Sequence, residues 1–165
     1  MTNDLHADVR ERFHARCGYC GVHEDDAGAT LTVDHHRPLA RDGTDDATNL
    51  VYCCARCNEH KGMYWHELDP PCVRLLHPGH DDLKQHLCVM DDCRVAGVTA
   101  EGEFFVKRLR LNRPQLVAYR RARWLEEKRS ADLIATRLRL QELERTVLDL
   151  RTALELKAAE IERHS

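Results

Sequence analysis

The chain has 165 residues, enough for one ordinary domain of about 100 to 150 residues plus an appendage. Hydrophobic residues make up 42% and charged residues 32%, with only 5% aromatic, so one modest core and much solvated polar helix are expected and a bulky cofactor-enclosing enzyme is excluded. A formal charge of −3 excludes a uniformly basic nucleic-acid coat; with no apolar run of the ~20 residues a membrane span needs and no signal-peptide pattern at Met1-Thr2-Asn3-Asp4, a soluble, cytoplasmic protein with no membrane contact is expected.

In chain order, Leu5, Val9 and Phe13 recur at helical spacing and predict an N-terminal helix over residues 1–16. Cys17-Gly18-Tyr19-Cys20-Gly21 follows, a knuckle whose glycines permit the turn that aims both sulfurs at one point. Leu31 to Val33 is a short β-branched run ending in Asp34-His35-His36-Arg37-Pro38, and the Asp-rich stretch from Arg41 to Thr48, with Gly43, reads as a turn. Asn49 to Tyr52 is a second short strand, and Ala55 to Lys61 a brief helix stopped by Gly62. Strand, loop, strand and helix make a ββα unit.

Eight cysteines and eleven histidines are many for a chain of this size, and without an export signal metal binding is favoured over disulfides. Cys17 with Cys20, and Cys54 with Cys57, have the C-x2-C spacing, and two such pairs complete a closed tetrahedral zinc site that staples the ββα unit. Cys53 is ambiguous by position, although only Cys54 makes the proper pair with Cys57.

The run Asp34-His35-His36-Arg37-Pro38, followed by Asn49-Leu50-Val51-Tyr52-Cys53-Cys54-Ala55-Arg56-Cys57-Asn58-Glu59-His60-Lys61-Gly62, resembles the His-Asn-His (HNH) endonuclease motif in its four-cysteine zinc form. His36 departs from it, since many members carry an apolar residue there. The resemblance implies an α+β fold with a zinc-stapled ββα-metal core, and hydrolysis of DNA phosphodiester bonds, with RNA left open as a substrate. On it Asp34 and Asn58 are ligands of a catalytic Mg²⁺ or Mn²⁺, the oxygen donors a hard cation prefers. His35 is the general base, and an imidazole can take a proton from water near neutral pH. Asn49 hydrogen-bonds backbone across the hairpin and orients His35. One metal then stabilises the phosphate and the departing 3′ oxygen, leaving 5′-phosphate ends. His36 reads equally as a phosphate contact and as loop packing; Arg37, Arg56, His60 and Lys61 are candidate phosphate contacts, with solvated surface the alternative.

Beyond the motif, residues 63–129 are read as a small hairpin and a basic helical extension. His86 to Met90 and Arg94 to Val98 suggest the hairpin, although the histidines and cysteines of 66–100 leave a further metal site open. Leu76-His77-Pro78, His86-Leu87 and Leu109-Arg110-Leu111-Asn112-Arg113-Pro114 are loosely similar to the tail of bacterial HNH proteins. From Glu103 to Arg129 nine Lys or Arg face three Glu, which suits a phosphate-binding face or a solvated basic one. Two helices broken before Pro114 are expected there. In residues 130–165, position a falls at Leu133, Leu140, Val147, Leu154 and Ile161 and position d at Thr136, Leu143, Leu150 and Lys157, predicting a coiled-coil helix that joins a second copy or a partner protein, with folding back onto the nuclease as the alternative because Leu138, Leu148 and Leu156 widen the apolar stripe. Together these features suggest an effector nuclease within a larger assembly such as an antiviral defence system. The rival reading is an inactive zinc-containing nucleic-acid-binding or scaffold subunit.

Overall fold

In the structure, a computed structural model that describes residues 3–163, β1 (Thr32–His35) pairs antiparallel with β2 (Leu50–Cys53). The register sets Asp34 opposite Val51 and His35 opposite Leu50. All four β2 residues are buried, as an apolar Leu-Val-Tyr-Cys run covered on both faces requires. Along β1 only Asp34 of the four residues is buried, although Thr32 shares its face of the pleat and is exposed. A carboxylate is thereby delivered to the interior edge of the ribbon.

The third part of the ββα unit, α3 (Ala55–Lys61), starts from Cys54 in extended conformation and ends at Gly62, whose φ of +58° an L side chain rarely adopts. The α+β fold with a ββα core is therefore as expected. An N-terminal helix, α1 (Asn3–Arg12), buries Val9 and packs Leu5 against the same core, with Phe13 just beyond its end. It ends earlier than the expected 1–16 because His14 and Ala15 take positive φ; residues 1 and 2 of that expectation lie outside the described residues. A one-turn helix, α2 (Glu24–Ala27), was not foreseen; Glu24 Oε2 accepts a hydrogen bond from the Tyr52 hydroxyl at 2.7 Å and the Arg10 guanidinium pairs with the same carboxylate.

The hairpin is present as β3 (Leu87–Val89) and β4 (Val95–Gly97). Next comes α4 (Ala100–Arg108), where Thr99 Oγ1 accepts from the Gly102 amide at 3.1 Å as N-cap. Phe105 and Leu109 are wholly buried and carry this helix into the core beside Leu50 and Leu76. Asn112 holds β4 by both its amide groups, accepting from Val95 N and donating to Val95 O at 2.8 Å each. The final helix, α5 (Pro114–Arg163), opens on Pro114, where a missing N–H costs nothing.

The chain divides into two units, Met1–Arg121 and Ala122–Ser165. Everything above up to the first turns of α5 belongs to the first. In the second, the a residues Leu133, Leu140, Val147, Leu154 and Ile161 and the d residues Leu143 and Leu150 are 56% to 68% exposed. Residues 164 and 165 of the expected coiled-coil helix lie outside the described residues. No helix among the described residues is long and apolar enough to cross a membrane.

Candidate metal centre and active-site groove

The first knuckle is a turn closed by Gly21 N to Cys17 O at 2.8 Å and Cys17 N to Val22 O at 2.9 Å. The second is the junction of β2 and α3, with Cys54 just before the helix and Cys57 in its first turn. All four sulfurs lie within 4.8 Å of one another, and Cys20 Sγ is 3.8 Å from Cys54 Sγ. A tetrahedral site with Zn–S bonds of about 2.3 Å has sulfur–sulfur edges of about 3.8 Å, so the four cysteines are placed to bind a metal and their spacing fits zinc. Hydrogen bonding among the sulfurs raises Cys17 and Cys57 and lowers Cys20 and Cys54. Protons are thus shared unevenly, and it is a bound cation that lets all four stand as thiolates.

Arg113, which sequence reasoning missed, points Nη2 at Cys57 Sγ and Cys54 Sγ from 3.6 and 3.9 Å. Such a cation offsets the net negative charge of a four-thiolate zinc centre. Cys53 is resolved as a core residue, fully buried, with its sulfur 3.7 Å from Thr32 Oγ1 and its thiol pushed up by burial. Among the described residues no second group of three metal-capable side chains converges, and in segment 66–100 His77 instead packs between His36, edge-on, and His80, tilted, with ring centroids 4.5 and 4.2 Å away.

Beside this centre lies a groove of about 420 Å³ lined by Asp34, His35, Pro38, Asn58, Lys61 and Met63, among others. Asp34 is only 7% exposed, and each carboxylate oxygen is held: Tyr19 donates its hydroxyl to Oδ2 at 2.7 Å, and Lys61 donates Nζ to Oδ1 at 3.0 Å. Tyr19 sits between Cys17 and Cys20, and Lys61 ends the helix that Cys54 and Cys57 begin. Both donors therefore hang from the metal-binding elements. Burial pushes the Asp34 carboxyl above its ordinary range, against Lys61 and Tyr19, which favour the charged form. Lys61 Nζ also donates to His35 O at 2.8 Å, fixing the backbone just after the Asp34-His35 pair.

The His35 ring lies with Nε2 2.7 Å from Asp45 Oδ1. A carboxylate only accepts, so Nε2 carries a proton, and in the neutral ring Nδ1 is the lone-pair acceptor. Asn49 secures the loop that presents Asp45: its Oδ1 accepts from Arg37 N at 2.8 Å, and its Nδ2 donates to Arg37 O at 3.0 Å and Thr44 O at 2.8 Å. Gly43 makes that closure possible, since a Cβ there would stand 1.9 Å from Arg37 O. The half-buried Asn58 lines the same groove, and among the described residues its side-chain amide has no hydrogen-bond partner. One amide oxygen is thus uncommitted, and each Asp34 oxygen keeps a further lone pair, so the residues fit a hard divalent cation with open positions.

Two expected phosphate contacts are corrected by their placement. His36 is 7% exposed, with Nε2 3.2 Å from Leu75 O and Nδ1 3.3 Å from the Tyr19 hydroxyl, and burial lowers its pKa to about 3. It is a neutral interior ring. Lys61 is fully buried and committed to Asp34. Arg37 lies 5.1 Å over the Trp65 ring and donates Nε to Arg41 O, whereas Arg56 is exposed and paired with Glu59 at 2.9 Å. His60 is half-buried on α3. Tyr19 and Asp45 gave no signal in the sequence beyond lying beside the motif.

Residues 17–63 match the family model described as HNH endonuclease. No curated protein and no solved structure matches the chain.

Proposed function

We propose that this chain, which carries an HNH domain over residues 17–63, is a metal-dependent endonuclease that hydrolyses DNA phosphodiester bonds, its nuclease core being residues 17–62. The observation that carries the reading is the single groove in which Asp34, His35 and Asn58 stand together beside the four-cysteine cluster. His35 Nδ1 takes a proton from the attacking water, while Asp45 holds the ring in the required tautomer and stabilises the imidazolium that forms. Asp34 and Asn58 are the ligands of Mg²⁺ or Mn²⁺, and zinc on the four cysteines is structural. When bound, the catalytic ion neutralises charge on the phosphate and the leaving 3′ oxygen. Tyr19 and Lys61 keep the Asp34 carboxylate aimed, and Asn49 keeps the Asp45 loop closed.

The test is incubation of zinc-loaded protein with supercoiled plasmid. Nicked and linear products are expected when Mg²⁺ or Mn²⁺ is added and only background when it is omitted. Intact plasmid with either ion would hand the chain to the rival reading of an inactive nucleic-acid-binding or scaffold subunit.

The helix from residue 130 on serves assembly in this proposal, and we favour pairing with a second copy over a partner protein. A parallel pair in register sets Asp132 against Arg137 and Arg139 against Glu144 of the opposite helix, so the two g to e pairs in which both residues are charged are attractive. Burying Leu140, Leu143, Val147, Leu150 and Leu154 contributes on the order of 1.5 to 3 kcal/mol each before ordering entropy is subtracted. Truncation after Arg129 should convert a larger species in light scattering to a monomer with its zinc intact. Full-length protein that is already monomeric at high concentration would exclude self-association and leave a partner protein, as in a multi-subunit defence effector.

A further inference from the structure

With His36 and Lys61 inside the protein, the cations that can meet a polyanion lie elsewhere. A cleft of about 620 Å³ is walled by His60, Pro71, Phe104, Lys107, Arg108 and Arg110. The acid on its wall, Glu59, is engaged by Arg56 at 2.9 Å. Lys107, Arg108 and Arg110 have no acidic partner among the described residues.

This cleft neighbours the Asp34 groove, the two being linked by residues that line a hollow between them. Met63 lines both that groove and a shallower hollow of about 320 Å³, and Arg108 lines both the hollow and the cationic cleft. Arg108 is rigidly placed at the joint: Nε and Nη2 donate to Lys61 O at 3.2 and 2.6 Å, and the guanidinium lies 5.0 Å over the Tyr64 ring. The residue that accepts those bonds is the one whose ammonium holds Asp34. A fixed cation beside the groove, followed by two exposed cations at the end of α4, is an arrangement for successive phosphates of one strand; Phe104 and Pro71 give apolar surface for the sugars or bases between them.

We infer that the α4 cleft binds the sugar–phosphate backbone of the substrate strand running on from the scissile phosphate, with Lys107 and Arg110 as its exposed phosphate contacts and Arg108 as the anchored one. The inference rests on the nuclease reading for which strand occupies the cleft, but its binding readout does not need cleavage.

The experiment compares the full chain with the double variants Lys107→Gln/Arg110→Gln and Lys107→Glu/Arg110→Glu, and with Lys84→Glu on an exposed turn outside the cleft. Binding of a fluorescent DNA duplex of random sequence is read by anisotropy without Mg²⁺ or Mn²⁺ across KCl concentrations. The Gln pair should weaken binding about tenfold or more near 0.1 M salt and lower the slope of log K against log salt by about 2, because each phosphate that a cation neutralises adds roughly 0.9 to that slope. The Glu pair should weaken it further and Lys84→Glu should leave the slope unchanged. Zinc content and thermal unfolding should match the parent, and in plasmid cleavage the half-saturating substrate should rise with the saturating rate kept. Wild-type binding with an unaltered slope in both double variants overturns the inference, as does an equal loss in Lys84→Glu. A protein that binds through this cleft but never cuts retains the inference and loses the nuclease reading; one that cuts while both double variants bind like wild type does the reverse.

Discussion

His35→Ala should slow plasmid cleavage by about 10² to 10⁴-fold, the usual contribution of a positioned general base. The size of the effect follows from how completely the ring is prepared. Its Nε2 is committed to Asp45 at 2.7 Å, the Asp45 loop is closed by Asn49, and the His35 carbonyl is held by Lys61. Among the described residues no other imidazole lines the groove, and His36 faces the interior, engaged with Tyr19 and Leu75. The ring is 17% exposed but stands at a strand end outside the hydrophobic core, so zinc content should stay at the parent value and the melting temperature close to it. Cleavage near the parent rate in folded, zinc-loaded His35→Ala protein would place the base elsewhere.

What the sequence disclosed and what it withheld divide along a physical line. The ββα order, the break before Pro114 and the hairpin were legible because each depends on a local signal: cysteine spacing, a glycine stop at Gly62, a proline at a first helical turn. The side chains that hold the groove and face the cysteine cluster were not legible as such, since Tyr19, Asp45 and Arg113 act across 15, 10 and 56 residues of chain. Lys61 is the instructive case. A lysine closing a short helix reads as surface, yet its aliphatic stem crosses the interior so that its ammonium meets Asp34, an arrangement that only the buried carboxylate makes tolerable. The end of α1 was misjudged for a related reason: no glycine marks the positive φ at His14 and Ala15.

Loss of one zinc ligand should be more drastic still. In Cys57→Ser protein, zinc per chain is expected to fall well below one and the cooperative melting of the first unit to disappear. A structural zinc contributes about 10 to 16 kcal/mol of apparent binding free energy, while a domain of this size is stable by only about 5 to 15 kcal/mol, so the core cannot keep its fold on the remaining contacts. The groove goes with it, because the two donors that aim Asp34 belong to the same elements as the cysteines: Tyr19 to the first knuckle and Lys61 to the helix of the second. Asn58→Ala is the contrasting variant, removing an amide with no hydrogen-bond partner among the described residues and leaving a folded, zinc-loaded, inactive protein. Asp34→Ala is a poorer contrast, since it strands the fully buried Lys61 ammonium, and breaking a buried ion pair from one side costs about 3 to 5 kcal/mol. Zinc quantification and thermal unfolding by circular dichroism decide the matter. A Cys57→Ser protein with one zinc per chain and the parent melting temperature would show that the four-sulfur cluster is not what holds the ββα core together.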